Sequence, residues 1–171
     1  MRLGFLDEVG FSLSLPPTYT WSHRGSHHRL RVPTRWGSHG RINAIGTLWL
    51  GEEDALSYRL LEGTVTSVEV IAFIDEIAVS CTPGNLTVVV LDNAGFHKSK
   101  LVQERRSGWE ERGLFLRYLP PYCPFLNPIE GLWKRVKAFL LPRRCYASVT
   151  DLRQAVLAAF AVLGAVKVHS E

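Results

Sequence analysis

YLPPYCPFLNPIEGLWKRVK, residues 118–137, joins two incompatible local structures. Its first half carries Pro120, Pro121, Pro124 and Pro128. Each lacks an amide donor and restricts the residue before it, so this half forms an extended, stiff loop. Its second half has the marks of a helix start. Asn127 suits the N-cap, Pro128 the first helical position, and Glu130 stands three residues past the cap. Ile129, Leu132, Trp133, Val136, Phe139 and Leu140 then recur at helical spacing, which predicts one apolar face. A rigid loop therefore delivers the Glu130 carboxylate to the mouth of a helix.

Glu130 has two readings. In one it closes a capping box by reaching back to the Asn127 amide. In the other it is a metal-binding or catalytic carboxylate. Only partners elsewhere in the chain separate the two.

The chain has 171 residues, 46% apolar and 21% charged, with a formal charge of +4. That composition fits one folded domain large enough to bury a core, and excludes a disordered chain. The modest basic excess is compatible with a nucleic-acid partner. Cys81, Cys123 and Cys145 are odd in number and widely spaced, so neither a zinc site nor a disulfide framework is indicated, and a reduced cytoplasmic setting is expected. No run is long and apolar enough for a signal peptide or a membrane span, so no membrane association is expected.

From the amino terminus, residues 3–8 predict a short strand ending in Asp7 and Glu8. Gly10 then reads as a tight turn into a second, alternating strand over 11–15. Residues 16–41 contain no acid but carry Arg24, Arg29, Arg31, Arg35 and Arg41, with His23, His27, His28 and His39 and the aromatics Tyr19, Trp21 and Trp36. Such a connection suits phosphate contacts and base stacking, or is simply a solvated loop. Its histidines lack the cysteine or second ligand pair that a zinc site needs. Residues 42–50 predict a central strand and 56–61 its hairpin partner, with Glu52, Glu53 and Asp54 as solvated turn acids. Residues 66–80 predict a helix with Val68, Ile71, Ala72, Ile74, Ile77 and Ala78 inward, leaving Asp75 and Glu76 without a role.

LTVVVL, residues 86–91, is a continuous run of the kind expected in a strand buried on both faces. It stops at Asp92, followed by Asn93 and His97. An acid at the carboxyl end of an interior strand sits where open α/β sheets place ligands, although a turn-starting Asp is equally ordinary. A helix over 99–112, a strand over 114–119 and a closing helix over 149–163, capped by Ser148 or Thr150, complete the chain. The fold class that follows is α/β: a mixed sheet with helices on both faces. In it Asp7, Asp92 and Glu130 converge.

FLDEVGF, YTWSHRGSH, VVVLDNAGFHKS and LPPYCPFLNPIEGLWKRVK, in this order, resemble the catalytic domain of DDE transposases of bacterial insertion sequences in the mariner-like superfamily. The resemblance runs from Leu3 to about Lys137 and more loosely into the last helix, and Cys123 stands where serine is more usual. It implies a ribonuclease-H-like fold over 1–171 and divalent-metal-dependent DNA strand cleavage and strand transfer. It implies Asp7, Asp92 and Glu130 as the catalytic and metal-binding triad, with 37 residues between the last two, and two Mg²⁺ or Mn²⁺ ions as cofactor. Clustered carboxylates need such cations, and hard oxygen ligands select them. Arg24, Arg29, Arg31, Lys134 and Lys137 are the expected DNA contacts. Glu8, Asn93 and His97 are expected to orient water, ligands or DNA from behind the triad.

The family's helix-turn-helix region has no counterpart before Asp7, since Met1 immediately precedes the first predicted strand. The expectation is therefore a catalytic domain that depends on a separately encoded helix-turn-helix subunit, or a fragment. The partners expected are DNA, as transposon ends and target, and further copies of the chain, in a bacterial cytoplasm near the nucleoid. The rivals are a silent fragment that binds only DNA or another subunit, and a general ribonuclease-H-like nuclease.

Overall fold

The computed structural model describes residues 1–15, 40–51, 56–121, 123–164 and 166–167. The predicted basic connection, with Arg24, Arg29, Arg31, Arg35 and the histidines, and the turn acids Glu52, Glu53 and Asp54 lie outside the described residues.

β1 (Arg2–Ser12), β2 (Arg41–Leu50) and β3 (Leu56–Glu62) form an antiparallel meander. Then come α1 (Ser67–Val79), β4 (Thr87–Leu91), α2 (Lys100–Glu111) and β5 (Leu114–Tyr118). α3 (Pro128–Arg135), α4 (Val149–Val162) and a short β6 (Val166–Lys167) close the chain. The described sheet has the order β5-β4-β1-β2-β3-β6, with β4 parallel to both β1 and β5. This is the mixed sheet with helices on both faces that the hydrophobic pattern predicts. Among the described residues no helix is long and apolar enough to cross a membrane.

Two cores flank the sheet. One packs Val9, Phe11, Ile42 and Ala44 under α3 and α4, through Ile129, Trp133, Val156 and Phe160. The other packs Leu6, Ile45, Trp49, Val89 and Leu91 under α1 and α2, through Phe73, Ile77, Val102 and Trp109. Alternate residues of β1 therefore serve opposite cores, as the two-residue period of a strand requires.

β1 is one strand of eleven residues, not the two strands and tight turn expected around Gly10. Its ladder with β2 continues unbroken through Val9↔Ala44 and Gly10↔Asn43. The glycine is there because the Arg41 guanidinium occupies the space a Cβ would need, a close approach that a strand glycine permits. Asp7 consequently lies within β1 and not at its end.

The helix after Pro128 also departs from expectation. Regular α-helix ends at Arg135, and Val136–Leu140 continue as a π turn in which the Leu141 amide donates to the Val136 carbonyl at 2.9 Å. The wider turn shifts the side-chain phase. Val136 stays buried, whereas Phe139, placed on the apolar face by its spacing, is 84% exposed.

On α1 the inward residues are Val70, Phe73, Ile74, Ile77 and Ala78, while Val68 faces solvent. Asp75 and Glu76 do have roles. Asp75 accepts from the Trp109 indole at 2.7 Å and pairs with Arg105, locking α1 to α2. Glu76 pairs with Arg59 of β3.

Candidate active site

The parallel pairing of β1 with β4 sets Phe5 opposite Val90. Two residues on, Asp7 and Asp92 reach the same level. β4 stops at Leu91 while β1 continues, so Asp7 is laid bare by its neighbour's ending. The Asp7 carboxyl is nevertheless largely enclosed. Burial, then the charges of Glu8, Asp92 and Glu130, outweigh a hydrogen bond from the Glu8 backbone and push it up to about 7. These three carboxylates from three elements therefore act on Asp7 as one electrostatic group.

Asp92 behaves in the opposite way. A hydrogen bond with His97 outweighs its burial and, with the Ala94 amide at 2.9 Å, holds its carboxyl below the usual range. His97 is fully buried on the 3₁₀ turn Gly95–Lys98. Its Nδ1 lies 2.7 Å from Asp92 Oδ1 and its Nε2 2.9 Å from Glu8 Oε1. Burial alone would lower its pKa, but the hydrogen bonds and charges of Asp92 and Glu8 raise it to about 9. His97 is thus an imidazolium clamped between two carboxylates, with both ring nitrogens occupied. It orients Asp92 and is closed to water and DNA. The turn itself is fixed at both ends: Tyr118 Oη donates to the His97 carbonyl at 2.8 Å, and Ser67 Oγ to the Phe96 carbonyl at 3.0 Å. Asn93 Nδ2 donates to the Leu119 carbonyl, tying the end of β4 to the proline loop.

Glu130 sits in the first turn of α3, its side chain 35% exposed, with Lys134 Nζ 3.9 Å away. The capping box allowed by the sequence does not form. Asn127 occupies the N-cap position with no side-chain cap bond, and only the Glu130 amide bonds the Asn127 carbonyl, at 3.1 Å. The Glu130 carboxylate is therefore left for the cleft. That cleft, of about 260 Å³, is lined by Asp92, Asn93, Pro120, Cys123, Asn127 and Glu130.

Lys134 is exposed beside Glu130. Lys137 is half-buried, its Nζ 5.8 Å from the Phe11 ring centre. Burial, then the Arg41 charge, lower its pKa, and Asp7 opposes them. Asn127, read from the sequence as the N-cap, lines the same cleft as Asp92 and Glu130.

Among the described residues no three His, Cys, Asp or Glu side chains are spaced to grip a single ion. The donor set nonetheless fits divalent cations. An acid raised to about 7 first by burial and then by the charges of neighbouring acids sits in a cluster short of positive charge, and the ligands there are hard oxygens.

A family model described as DDE superfamily endonuclease matches residues 2–153. An uncharacterized protein, y4pE/y4sA of Sinorhizobium fredii (strain NBRC 101917 / NGR234), is 30% identical over 77 residues, which are 45% of this chain and 53% of that protein. Among solved structures, the Mos1 strand transfer complex superposes with a TM-score of 0.70 at 14% identity, over 93% of this chain and 47% of that one. The Mos1 mariner paired end complex with Mn gives 0.66 at 15% identity, over 94% and 48%. The fold is the one those transposase chains share, and the chain spans about half the length of the proteins it matches.

Proposed function

The chain belongs to the DDE superfamily endonucleases, and from that premise we propose that it is the catalytic domain of a transposase, cutting DNA at the ends of a mobile element and joining them to a target. The observation that carries this reading is the gathering of acids around Asp7: its carboxyl, raised to about 7 first by burial and then by Glu8, also feels the charges of Asp92, just past β4, and of Glu130, at the start of α3.

In this reading Asp7, Asp92 and Glu130 hold two Mg²⁺ or Mn²⁺ ions. Bound there, the ions supply Lewis-acid stabilisation to the oxygens that enter and leave phosphorus in an in-line displacement. The chain's own residues do the rest. His97 keeps Asp92 ionised and aimed, and Glu8 keeps His97 charged. The proline loop and the buried Ile129 and Trp133 fix Glu130 opposite the strand ends. Lys134, on the exposed side of α3, offers charge to a phosphate backbone, and Lys137 offsets the acids from beneath. Arg24, Arg29 and Arg31, which lie outside the described residues, belong to this proposal as further phosphate contacts on the strength of their sequence alone. Water opens one phosphodiester and releases a 3′-hydroxyl. That hydroxyl attacks a target phosphodiester, expelling another 3′-oxygen, so one bond forms for each bond broken.

The test is nicking of supercoiled plasmid by the purified chain in Mn²⁺. Nicking is expected for the wild type and not for Asp92→Asn. Equal nicking by both would remove Asp92, and with it the proposed triad.

A further inference from the structure

Asn127 is only 4% exposed, lines the cleft with Asp92 and Glu130, and leaves its side-chain Oδ1 without a hydrogen-bond partner. An orphaned buried acceptor costs about 1–3 kcal/mol. The side chain makes no cap bond to the helix it precedes: Pro128 has no amide to offer, and the Glu130 amide is given to the Asn127 backbone carbonyl. An orphaned polar atom in a folded protein marks stored strain, a functional role or a place for water or an ion, and one on a residue lining an acid-walled cleft points to the last two.

We propose that Asn127 is a working residue of the cleft and not a helix cap, its Oδ1 accepting a hydrogen bond from an O–H donor that enters between Asp92 and Glu130. The chemistry of the acceptor narrows the donor. Phosphate oxygens only accept, so a DNA backbone phosphate cannot satisfy Oδ1. A hydroxyl-type donor can, and two sources bring one to such a cleft: the hydration water of a divalent cation, and the 3′-hydroxyl of a DNA strand. The identity of these sources rests on the transposase reading. The orphaned acceptor does not.

Asn127→Ser separates the cap from the acceptor. Serine caps helices as well as asparagine does, but its hydroxyl is one bond shorter and does not reach the position of Oδ1. We expect the melting temperature in EDTA to be unchanged. We expect Mn²⁺ affinity without DNA, measured by calorimetry, to fall about three- to tenfold, the worth of one hydrogen bond, if hydration water is the donor. If the sugar hydroxyl is the donor, Mn²⁺ affinity holds and the preference for oligonucleotides ending in 3′-hydroxyl over 3′-deoxy falls by the same factor. Asn127→Asp, which keeps both an acceptor and a cap, should bind Mn²⁺ at least as tightly as the wild type. The inference is overturned if Asn127→Ser changes neither affinity nor preference. It is overturned too if Asn127→Asp weakens Mn²⁺ binding. Wild-type binding abolished by Glu130→Gln but indifferent to Asn127→Ser sinks this inference alone. No Mn²⁺ binding by the wild type sinks the metal reading with it.

Discussion

Asp7→Asn should make the metal-free protein more stable at pH 8. The Asp7 carboxyl titrates at about 7 in the fold against an ordinary 3.8, first through burial and then through the charges of Glu8, Asp92 and Glu130. A carboxyl raised in this way favours the fold only while protonated. Its contribution is intact below 3.8 and is lost as the pH rises through about 7. Each tenfold change in proton affinity is about 1.4 kcal/mol, so at pH 8 the ionised group costs the fold about 4 kcal/mol. An amide gives back part of that in its own desolvation, leaving about 2–4 kcal/mol. For a chain of this size that is roughly 5–15 °C in melting temperature. The assay is thermal unfolding in EDTA, followed by circular dichroism at pH 8 and pH 4.5. At the lower pH only about a quarter of the penalty has developed, so with the amide's own desolvation cost unchanged the gain should nearly vanish. With Mn²⁺ at pH 8 the order should invert, since only the wild type offers the full charge to the cation. An Asp7→Asn protein that melts below the wild type in EDTA at pH 8, or gains equally at both pH values, would refute the reasoning.

Glu130→Gln has no capping bond to lose, and its Lys134 pair is long and exposed, so melting in EDTA should shift by less than about 2 °C while Mn²⁺-dependent nicking disappears. His97, raised to about 9 by its hydrogen bonds to Asp92 and Glu8 despite its burial, contributes stability that is complete below 6.5 and lost as the pH rises through 9. Above about pH 8, where Asp7 is already ionised, melting curves in EDTA should show that decline for the wild type and not for His97→Asn. Phe160 is fully buried and meets the Tyr58 ring edge-on at 4.6 Å, so Phe160→Ala should cost about 3–5 kcal/mol in denaturant unfolding without changing the Mn²⁺ affinity of the folded fraction.

What the sequence made legible was whatever depended on local chemistry. LTVVVL announced an interior strand, LNPIE a helix start, and the spacing of Leu152, Val156, Ala159 and Phe160 the inner face of α4, all of which the structure places so. What it hid depended on distant partners. Gly10 looked like punctuation because Arg41, which fills its missing Cβ, lies thirty-one residues on. The π turn left no mark in the apolar spacing, since it is a change of hydrogen-bond partner and not of residue type. The pattern at Asn127 and Glu130 met every local condition for a capping box, and the structure does not form one. Asp75 acquired its partners only when α2 brought Arg105 and Trp109 alongside.

β1 has one consequence for how such a chain can vary in length. Asp7 turns toward the core under α3, and Glu8, the next residue, turns toward His97 on the other side of the sheet. Both assignments depend on counting by twos along a strand held by β2 on one flank and β4 on the other. A residue inserted or removed between Arg2 and Ser12 would exchange the two acids, or send Val9 and Phe11 away from the core they fill. Related chains can therefore lengthen or shorten in the connections before β2 and β3, but β1 must keep its length to the residue.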